Sequence, residues 1–267
     1  MIDIHQHVDW LGKDKQGLID YLDQAGVRQC WLLSWEAVDG GLEPDYKHLS
    51  IANVYATYKM FPRRIIPFCG VDPRRPQAEQ MLADLHKKGF KGYGELKFHI
   101  LADNSDFIRM LRLAGSLKMP ALCHLDVDLP STPHWYLGDI GHLENAARLC
   151  PRTALIGHGP GFWREVSGHA DRSPDLYPRG PVKPGGRLWK ALAKYPNIFA
   201  DLSANSAWTA LSRDQAFSRR MLIQFHKKIL YGTDYYDTKM LDLLRSLRLP
   251  APVFRAITEK NAQRLVR

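Results

Sequence analysis

Short apolar runs alternate with longer amphipathic runs along almost the whole chain. Eight of the apolar runs are rich in β-branched and aromatic residues and are bounded by turn residues, which is typical of buried strands. We predict strands over 2–8, 27–35, 64–71, 90–98, 120–125, 153–157, 197–202 and 228–231. Helical periodicity follows these strands, and we predict helices over 15–24, 46–61, 76–88, 106–118, 138–149, 188–195, 214–225, 238–246 and 252–266.

This alternation of strand and helix predicts a parallel sheet with helical crossovers. Eight such units in 267 residues match the size of a closed (β/α)8 barrel of the TIM type. A doubly wound open sheet is the alternative, but no glycine-rich phosphate-binding fingerprint follows the first strand. We therefore expect one α/β barrel domain over residues 1–267, with its functional site at the mouth formed by the carboxyl ends of the strands.

Two connections at the predicted mouth are longer than ordinary barrel loops. Residues 159–186 contain five prolines and six glycines, and unstructured loops of this length usually serve as lids or binding loops. A shorter insertion spans 126–136. Because both insertions follow predicted strands, we expect both to lie over the mouth, where Asp126, Asp128 and Trp135 of the shorter one could line it.

The amino-acid composition and net charge limit which kind of protein this is and which kinds of partner it binds. Hydrophobic residues make up 45% and charged residues 24%, which is typical of a globular domain and excludes a disordered or fibrous chain. The net charge of +9 favours anionic partners. The basic residues are spread along the chain without a recognisable nucleic-acid module, so we do not expect nucleic acid as a partner.

The cysteines and the lengths of the apolar runs indicate where in the cell the protein is expected. The chain has four cysteines and no C-x-x-C pair, which indicates reduced, mostly buried thiols rather than a disulfide framework. No targeting signal precedes the first strand, and no apolar run approaches the roughly 20 residues of a membrane helix. We expect a cytoplasmic protein without membrane association, and a homodimer as the commonest assembly if it oligomerises.

Histidine and aspartate stand at the carboxyl ends of several predicted strands. His5 and His7 alternate along the first strand, so their side chains point the same way. His124 and His158 stand at the ends of the fifth and sixth strands, and Asp234 follows the eighth. In a parallel barrel these side chains meet at one mouth. Imidazole and carboxylate together suit a divalent metal, above all Zn²⁺, with Mn²⁺ or Fe²⁺ as alternatives.

Motifs in the same order along the chain carry a family resemblance. They are Ile4-His5-Gln6-His7, Gly94-Glu95-Leu96-Lys97, the strand ends at His124 and His158, Ala200-Asp201-Leu202-Ser203, Tyr231-Gly232-Thr233-Asp234 and Asn261-Ala262-Gln263-Arg264-Leu265. With these motifs the chain resembles the amidohydrolase superfamily. Within it, the chain is most similar to the amidohydrolase-related branch that includes aminocarboxymuconate-semialdehyde decarboxylase and several lactone and ester hydrolases.

The resemblance implies a role for each strand-end residue. His5, His7 and His124 would be metal ligands. His158 would be a second-metal ligand or, in a mononuclear site, a group that polarises or positions the attacking water. Asp234 would bind the metal weakly and act as general base. Metals of this kind lower the pKa of water towards neutrality, and a neighbouring carboxylate can then take the proton.

The fourth strand leaves the number of metals open. By period-two alternation Tyr93, Glu95, Lys97 and His99 share one face, so all four could point into the barrel. Glu95 matches a carboxylate that bridges two metals in some branches, and a carboxylated lysine bridges them elsewhere, which makes Lys97 the other candidate. An internal ion pair between Glu95 and Lys97, or contact of both with substrate, is the alternative. We favour one metal, with Glu95 as or beside its ligand and with Lys97 and His99 binding substrate.

The long loop supplies further candidates for substrate binding. It is basic, with Arg164, Arg172, Arg179, Lys183 and Arg187, so Arg164 could bind a substrate carboxylate. Trp163 in the same loop and Trp135 in the shorter insertion could form walls for a planar substrate. We predict that Asp201 and Asn205, after the seventh strand, orient loops rather than perform chemistry.

Together these features predict a metal-dependent hydrolase of a small carboxylate-bearing lactone, ester or amide. The alternative is non-oxidative decarboxylation at the same site, because the same ligands serve both reactions. A metal-dependent nuclease is less consistent with basic residues that are spread along the chain. A non-catalytic barrel is less consistent with the full set of metal-ligand residue types.

Overall fold

The computed structural model describes residues 1–39, 49–130 and 135–266, and within them the chain forms the predicted barrel. Eight parallel strands form one sheet in which each strand pairs with the next along the chain. The strands are β1 (Ile2–Gln6), β2 (Gln29–Leu33), β3 (Ile65–Cys69), β4 (Gly92–Leu96), β5 (Ala121–His124), β6 (Leu155–His158), β7 (Ile198–Asp201) and β8 (Ile229–Leu230). The fold class predicted from the sequence is confirmed.

Helices follow the strands and surround the sheet. They are α1 (Lys15–Gln24), α2 (Ile51–Met60), α3 (Ala78–Lys87), α4 (Ser105–Ser116), α5 (Ile140–Leu149), α6 (Pro160–Trp163), α7 (Arg187–Lys194), α8 (Ala204–Ser212), α9 (Gln215–Gln224), α10 (Lys239–Ser246), α11 (Ala251–Arg255) and α12 (Asn261–Leu265). Side chains cap several of them, since Asp14, Ser50 and Asp139 accept hydrogen bonds from first-turn amides of α1, α2 and α5.

The sequence reasoning missed two of these helices and extended a third too far. Helix α8 has no counterpart among the predicted helices, and the long loop begins with the short helix α6 rather than with irregular chain. The helix predicted over 46–61 begins only at Ile51, and its residues 46–48 lie outside the described part of the chain. The α7 and α10 predictions agree with the structure to within a residue.

Backbone hydrogen bonds join the last strand region to the first. The amide of Ile4 donates to the carbonyl of Tyr231 at 3.0 Å, and the amide of Asp234 donates to the carbonyl of His5 at 2.9 Å. These bonds bring the two ends of the sheet together, which excludes the open doubly wound alternative. They also place Asp234 directly beside the end of β1.

A small apolar cluster fills the barrel interior, separate from the larger core between sheet and helices. The interior side chains are Ile2, Ile4, Trp31, Leu33, Phe68, Leu122, Ile156, Phe199, Leu230 and Ala262. The rings of Trp31 and Phe68 stack with centroids 4.6 Å apart. A side chain at Gly92 would collide with the Phe68 ring, since its Cβ would lie 1.9 Å from the Phe68 Cε1 atom. The interior therefore needs glycine at this position of β4.

One extra residue in each of two strands changes which side chains face inward. Between Asp3 and Gln6 of β1, three residue steps oppose two on β2, and the same holds between Tyr93 and Leu96 of β4 against β5. Such bulges re-aim the residues that follow them. Alternation along β1 and β4 is therefore interrupted just before the mouth, where His5 and Glu95 turn inward.

The bulge in β4 corrects one prediction. Tyr93 does not share a face with Glu95 and Lys97. It packs in the outer core, where its hydroxyl donates to the carbonyl of Val71 at 2.7 Å. Gly94 is the inward residue before the bulge, because its Cβ position lies against Leu122.

Two other features of the described residues bear on the sequence predictions. All four cysteines are buried and free. None of the described helices combines the length and the apolar composition that crossing a bilayer requires.

Candidate metal centre and active site

Four side chains from three strand ends converge on one point at the barrel mouth. His5 lies in β1 with His7 just after it, Glu95 lies in β4, and Asp234 follows β8. The Nε2 atoms of His5 and His7 are 3.2 Å apart. Glu95 Oε2 lies 3.6 Å and 3.3 Å from these two nitrogens, and Asp234 Oδ1 lies 3.5 Å and 3.4 Å from them. We call these four residues the mouth cluster.

The spacing of these atoms fits a divalent metal. Ligands at 2.0–2.2 Å from a tetrahedral metal stand about 3.3–3.6 Å from one another. The five distances given above run from 3.2 to 3.6 Å. Two imidazole nitrogens and two carboxylate oxygens suit Zn²⁺, Mn²⁺ or Fe²⁺. His5, His7 and Asp234, which form one group of potential ligand atoms, therefore pass the geometric and the chemical test for such an ion, and Glu95 lies at ligand spacing from both histidines.

Partners on the far side of each imidazole hold the two histidines in position. His5 Nδ1 donates to Asp201 Oδ2 at 2.7 Å, and His7 Nδ1 donates to the carbonyl of Leu33 at 3.0 Å. With the Nδ1 atoms protonated, the Nε2 lone pairs face the centre of the mouth cluster. A carboxylate or carbonyl behind a histidine is the usual support of a metal ligand.

Asp201 has a larger role than the sequence reasoning assigned to it. Its side chain is fully buried at the end of β7, where it holds the following segment through the amide and hydroxyl of Ser203 and also binds His5 and His158. Ser203 was not singled out from the sequence, although both residues lie in the Ala200-Asp201-Leu202-Ser203 motif. The order of the motif was visible, but the convergence of its side chains on two distant histidines was not.

His158 is held by the same group with its second nitrogen facing the site. The Ser203 hydroxyl donates to Asp201 Oδ2 at 2.6 Å, so its only proton is used there. His158 Nδ1 then donates to Ser203 Oγ at 2.9 Å and to Asp201 Oδ2 at 3.0 Å. This leaves the lone pair on His158 Nε2, which lies 3.9 Å from Glu95 Oε1. His158 is thus a hydrogen-bond acceptor towards the mouth cluster.

His124 reaches the mouth cluster through Glu95. Its Nδ1 lies 2.7 Å from Glu95 Oε1, and its Nε2 lies 3.9 Å from Asp126 Oδ2. The described residues form two groups of potential ligand atoms, which are His5 with Glu95 and His158, and His5 with His7 and Asp234. His124 belongs to neither group. The structure therefore places Glu95 inside the cluster and His124 behind it, and direct ligation by His124 stays a prediction.

The charges of the buried groups favour a cation at the centre. Burial by itself lowers the pKa of His5, but the carboxylates of Asp234, Asp201 and Glu95 outweigh it and hold that pKa well above its usual range. His7 is raised in the same way, against its burial, by Asp234 and Glu95. Conversely, the histidines overcome the effect of burial and lower the pKa of Glu95 well below its usual range. The cluster is an acidic pocket that attracts protons or a metal.

Lys97 is buried beside this pocket. Its Nζ lies 4.9 Å from the centre of the Trp35 ring and 4.7 Å from that of Tyr136. Its backbone carbonyl accepts the Trp35 indole N–H at 2.7 Å. Burial and the charge of Lys97 work against a raised pKa of His124, but Asp126 and Glu95 outweigh them and that pKa lies above its usual value. Lys97 thus brings a cation, fixed between two aromatic faces, to the edge of an otherwise acidic site.

A cavity of about 410 Å³ lies beside His124. Its lining includes Asp126, Asp128, Trp135, Asp139 and His142, with Arg164, Glu165 and Arg187 on the long-loop side. His99 packs on the Trp135 ring, with centroids 4.0 Å apart. The shorter insertion therefore lines the mouth as predicted. The basic side of the cavity is already paired in part, since Arg187 binds Asp139 at 3.1 Å.

Trp163 and Arg164, both predicted to contact substrate, are buried. Trp163 is fully buried, and its indole N–H donates to the carbonyl of Asp201 at 2.8 Å, so it packs under the loop. Arg164 is only 4% exposed, its Nη2 donates to the carbonyls of Ala170 and Ser173, and the residue also lines the cavity of about 410 Å³. Both side chains hold the long loop in place, and contact of either with a substrate stays a prediction.

Comparisons with known proteins identify a family for the chain. A family model described as Amidohydrolase matches residues 2–267. No curated protein matches.

Solved structures share the fold at low identity. An uncharacterised TIM-barrel protein from Bordetella bronchiseptica is 13% identical with a TM-score of 0.72, over 99% of this chain and 97% of that one. A probable 2-pyrone-4,6-dicarboxylic acid hydrolase from Acinetobacter baumannii is 13% identical with a TM-score of 0.64, over 99% and 98%. A dihydroxybenzoic acid decarboxylase from Polaromonas, with bound manganese and 2-nitroresorcinol, is 14% identical with a TM-score of 0.64, over 99% and 96%.

Proposed function

The chain belongs to the amidohydrolase family, and from that premise we propose that it is a metal-dependent hydrolase of a small, carboxylate-bearing lactone, ester or amide. The observation that carries the proposal is the mouth cluster, in which the two histidine nitrogens stand 3.2–3.6 Å from each other and from both carboxylates. His5, His7, Glu95 and Asp234 would hold one divalent metal, with His124 behind Glu95. The donor set suits zinc, and the manganese in a structural neighbour makes Mn²⁺ the alternative.

Bound metal would supply Lewis acidity, which polarises a substrate carbonyl and makes water acidic enough to lose a proton near neutral pH. The proton needs an acceptor at the same point, and Asp234 fits that role. Its side chain is 16% exposed, the most accessible of the four. We assign Asp234 as the general base that takes the proton from the attacking water and returns it to the leaving group.

His158 complements Asp234 from β6, two strands away in the barrel. Its pKa is lowered, first by burial and then by the neighbouring His5, so the imidazole is neutral at pH 7. Its Nε2 lone pair faces the mouth cluster. We assign to it the positioning of the attacking water by hydrogen bonding, with Asp201 and Ser203 fixing the tautomer.

The Lys97 side chain beside the mouth cluster supports a negatively charged substrate. The ammonium of Lys97 is held between Trp35 and Tyr136 and does not need to be ordered when substrate binds. We propose that it binds the substrate carboxylate, with His99 and Trp135 contacting the rest of the molecule in the adjoining cavity. Structural neighbours that act on pyrone dicarboxylate and dihydroxybenzoate support an anionic, planar substrate.

Non-oxidative decarboxylation is the second candidate. The neighbours that favour it are decarboxylases of 2,6-dihydroxybenzoate and 5-carboxyvanillate. In that reaction the substrate carboxylate would occupy the mouth cluster, and Asp234 would deliver a proton to carbon as CO₂ leaves. The same residues serve both reactions, so the products distinguish them.

Metal content tests the shared part of the proposal. Protein purified without added metal or chelator is analysed for elements beside a His5→Ala/His7→Ala double variant. We expect about one Zn or Mn per chain, lost in the double variant. His86→Ala is the matched control, since His86 lies with Lys91 and Arg264 away from the mouth cluster. A native protein that neither contains nor takes up metal on titration would refute the proposal.

Product analysis then tests the reaction class. The loaded enzyme is incubated in H₂¹⁸O with 2-pyrone-4,6-dicarboxylate, other aryl-carboxylate lactones and 2,6-dihydroxybenzoate. Hydrolysis puts ¹⁸O into a new carboxylate without CO₂. Release of CO₂ without ¹⁸O in the product would establish the decarboxylase instead.

A further inference from the structure

We propose that a second buried site, between α6, α8 and the long loop, binds one small monovalent anion of about the size of chloride. The site is a cavity of about 10 Å³ with room for a single water-sized sphere. Its lining includes Arg164, Ser206 and Arg213, together with Leu176, Tyr177 and Pro178 of the loop. This anion pocket is separate from the mouth cluster, and none of the four residues of the cluster lines it.

Three side chains in this pocket carry buried polar atoms without a hydrogen-bond partner among the described residues. They are Nε of Arg164, Nε and Nη2 of Arg213, and the Oγ of Ser206. Buried polar groups are nearly always paired, so four such atoms around one cavity indicate a missing ligand. Arg164 is 4% exposed, and its Nε is buried.

The chemistry of these atoms favours an anion over water. Every unpartnered nitrogen is a guanidinium donor, and the serine hydroxyl can donate as well. On Arg213, Nε and Nη2 form the edge of the guanidinium fork that binds anions with two parallel hydrogen bonds. One water offers only two acceptor sites, whereas a halide accepts from all directions. The volume of the cavity selects a single small ion over sulfate or phosphate.

The charges around the pocket point the same way. Two guanidinium groups line it, and no carboxylate is among its lining residues in the described part of the chain. The carboxylate of Asp214, next to Arg213 in sequence, is directed elsewhere, since it accepts from the amides of Phe217 at 3.0 Å and Val182 at 3.4 Å. Two like charges around a small buried cavity are unfavourable unless an anion lies between them.

An anion here would stabilise the long loop. Arg164 holds the carbonyls of Ala170 and Ser173, and Arg213 holds the carbonyl of Pro178 through Nη1. Arg164 thus joins the start of the loop to its middle, and Arg213 joins the loop to the end of α8, each through one edge of its guanidinium. The other edge is left for the ion, which would fix both side chains in these positions.

Thermal unfolding in defined salts tests the site. At constant ionic strength, chloride or bromide replaces gluconate, whose anion is too large for the cavity. We expect a saturable rise in the melting temperature of roughly 3 °C at about tenfold excess over the dissociation constant. The rise should be smaller in Ser206→Ala and absent in Arg213→Lys, which keeps the charge but lacks the fork. Arg219→Lys, exposed on α9, is the matched control and should keep the full rise.

Anomalous scattering from crystals soaked in sodium bromide gives an answer that does not depend on the variants folding. A bromide peak within hydrogen-bond distance of Arg164 Nε and Arg213 Nε supports the proposal. An ordered water in the pocket with no anomalous peak overturns it. Bromide only at surface lysines, an adventitious ion only, also overturns it, as does a melting temperature that does not respond to halide.

Discussion

The mouth cluster and the anion pocket are both buried and polar, but the first has an excess of negatively charged groups and the second an excess of hydrogen-bond donors. At the mouth, carboxylates are in surplus, and the histidines between them take up positive charge. In the anion pocket, guanidinium donors are in surplus, and several of their hydrogen atoms find no acceptor. A buried polar group must be paired or its site pays a desolvation penalty. The excess therefore indicates the missing partner: a cation at the mouth and an anion beneath the loop.

The two regions also differ in where their residues come from. The mouth cluster is assembled from β1, β4 and β8, whose positions the barrel sets rigidly. The anion pocket combines two helices with a loop that follows β6. Mutations at the mouth should therefore affect metal and chemistry with little change in stability, whereas mutations around the loop should affect stability first. The predictions below test this division.

Removing the base should have the largest effect on activity. Asp234→Asn keeps an oxygen that can face the metal but cannot take a proton, so we expect kcat to fall by about 10²–10⁴. The melting temperature should stay near that of the native protein. Asp237→Asn is a nearby control, since the partly exposed carboxylate of Asp237 pairs with Lys239 at 3.3 Å and lies outside the mouth cluster. Steady-state kinetics on a substrate found by the product analysis measures the effect, and an unchanged kcat would remove Asp234 from the mechanism.

Removing the indole beneath the loop should have the largest effect on stability. Trp163 is fully buried and bonded to Asp201, so we expect Trp163→Ala to cost about 3–5 kcal/mol of unfolding free energy. Trp208→Ala is the matched control, since Trp208 is 38% exposed and its loss should cost well under 1 kcal/mol. Denaturant titration measures both. Equal costs for the two tryptophans would contradict the packing role of Trp163.

Asp201 links the two regions, because its carboxylate supports His5 and His158 while its carbonyl accepts the Trp163 indole. Asp201→Asn should weaken metal binding about 10–100-fold, as expected when a support behind a histidine ligand is lost. Competition with a chelator measures the affinity. Asp214→Asn, a capping residue on α9, should leave that affinity unchanged. Native affinity in Asp201→Asn would show that His5 needs no such support.

Lowering the pH should weaken metal binding, with a smaller effect than the substitutions described above. Carboxylates raise the pKa values of His5 and His7 in the metal-free protein, so these imidazoles are protonated at neutral pH and must lose protons when metal binds. Affinity should therefore rise with pH, by up to about tenfold per unit for each proton released. The stability of the metal-free protein should depend on pH in the opposite direction. The protonated histidines stabilise its fold fully below about pH 6.5, and this stabilisation is lost as the pH rises through their higher pKa values in the folded state. Calorimetry in buffers of different ionisation enthalpy counts the protons, and a count of zero would contradict the charge assignment.

Much of this molecule was predictable because its determinants are local. The alternation of apolar strands and amphipathic helices identified all eight strands, and a parallel barrel must gather strand ends at one mouth. His5, His7 and Asp234 could be grouped on that basis alone. The burial of Trp163 and Arg164 could not be predicted, because a residue in a long loop carries no local sign of whether it faces solvent or packs beneath its own loop.

The sequence by itself determined the barrel, the family and the types of residue available for metal chemistry. Tertiary structure alone decided which side chains face one another. One extra residue in β1 and one in β4 reset the alternation, so that Glu95 enters the mouth cluster while Tyr93 stays in the outer core. It also placed Asp201 behind two histidines far away in the chain, and Arg213 opposite Arg164. The physical reason is that pairing register and long-range packing depend on the sum of contacts across the whole barrel, which no local pattern encodes.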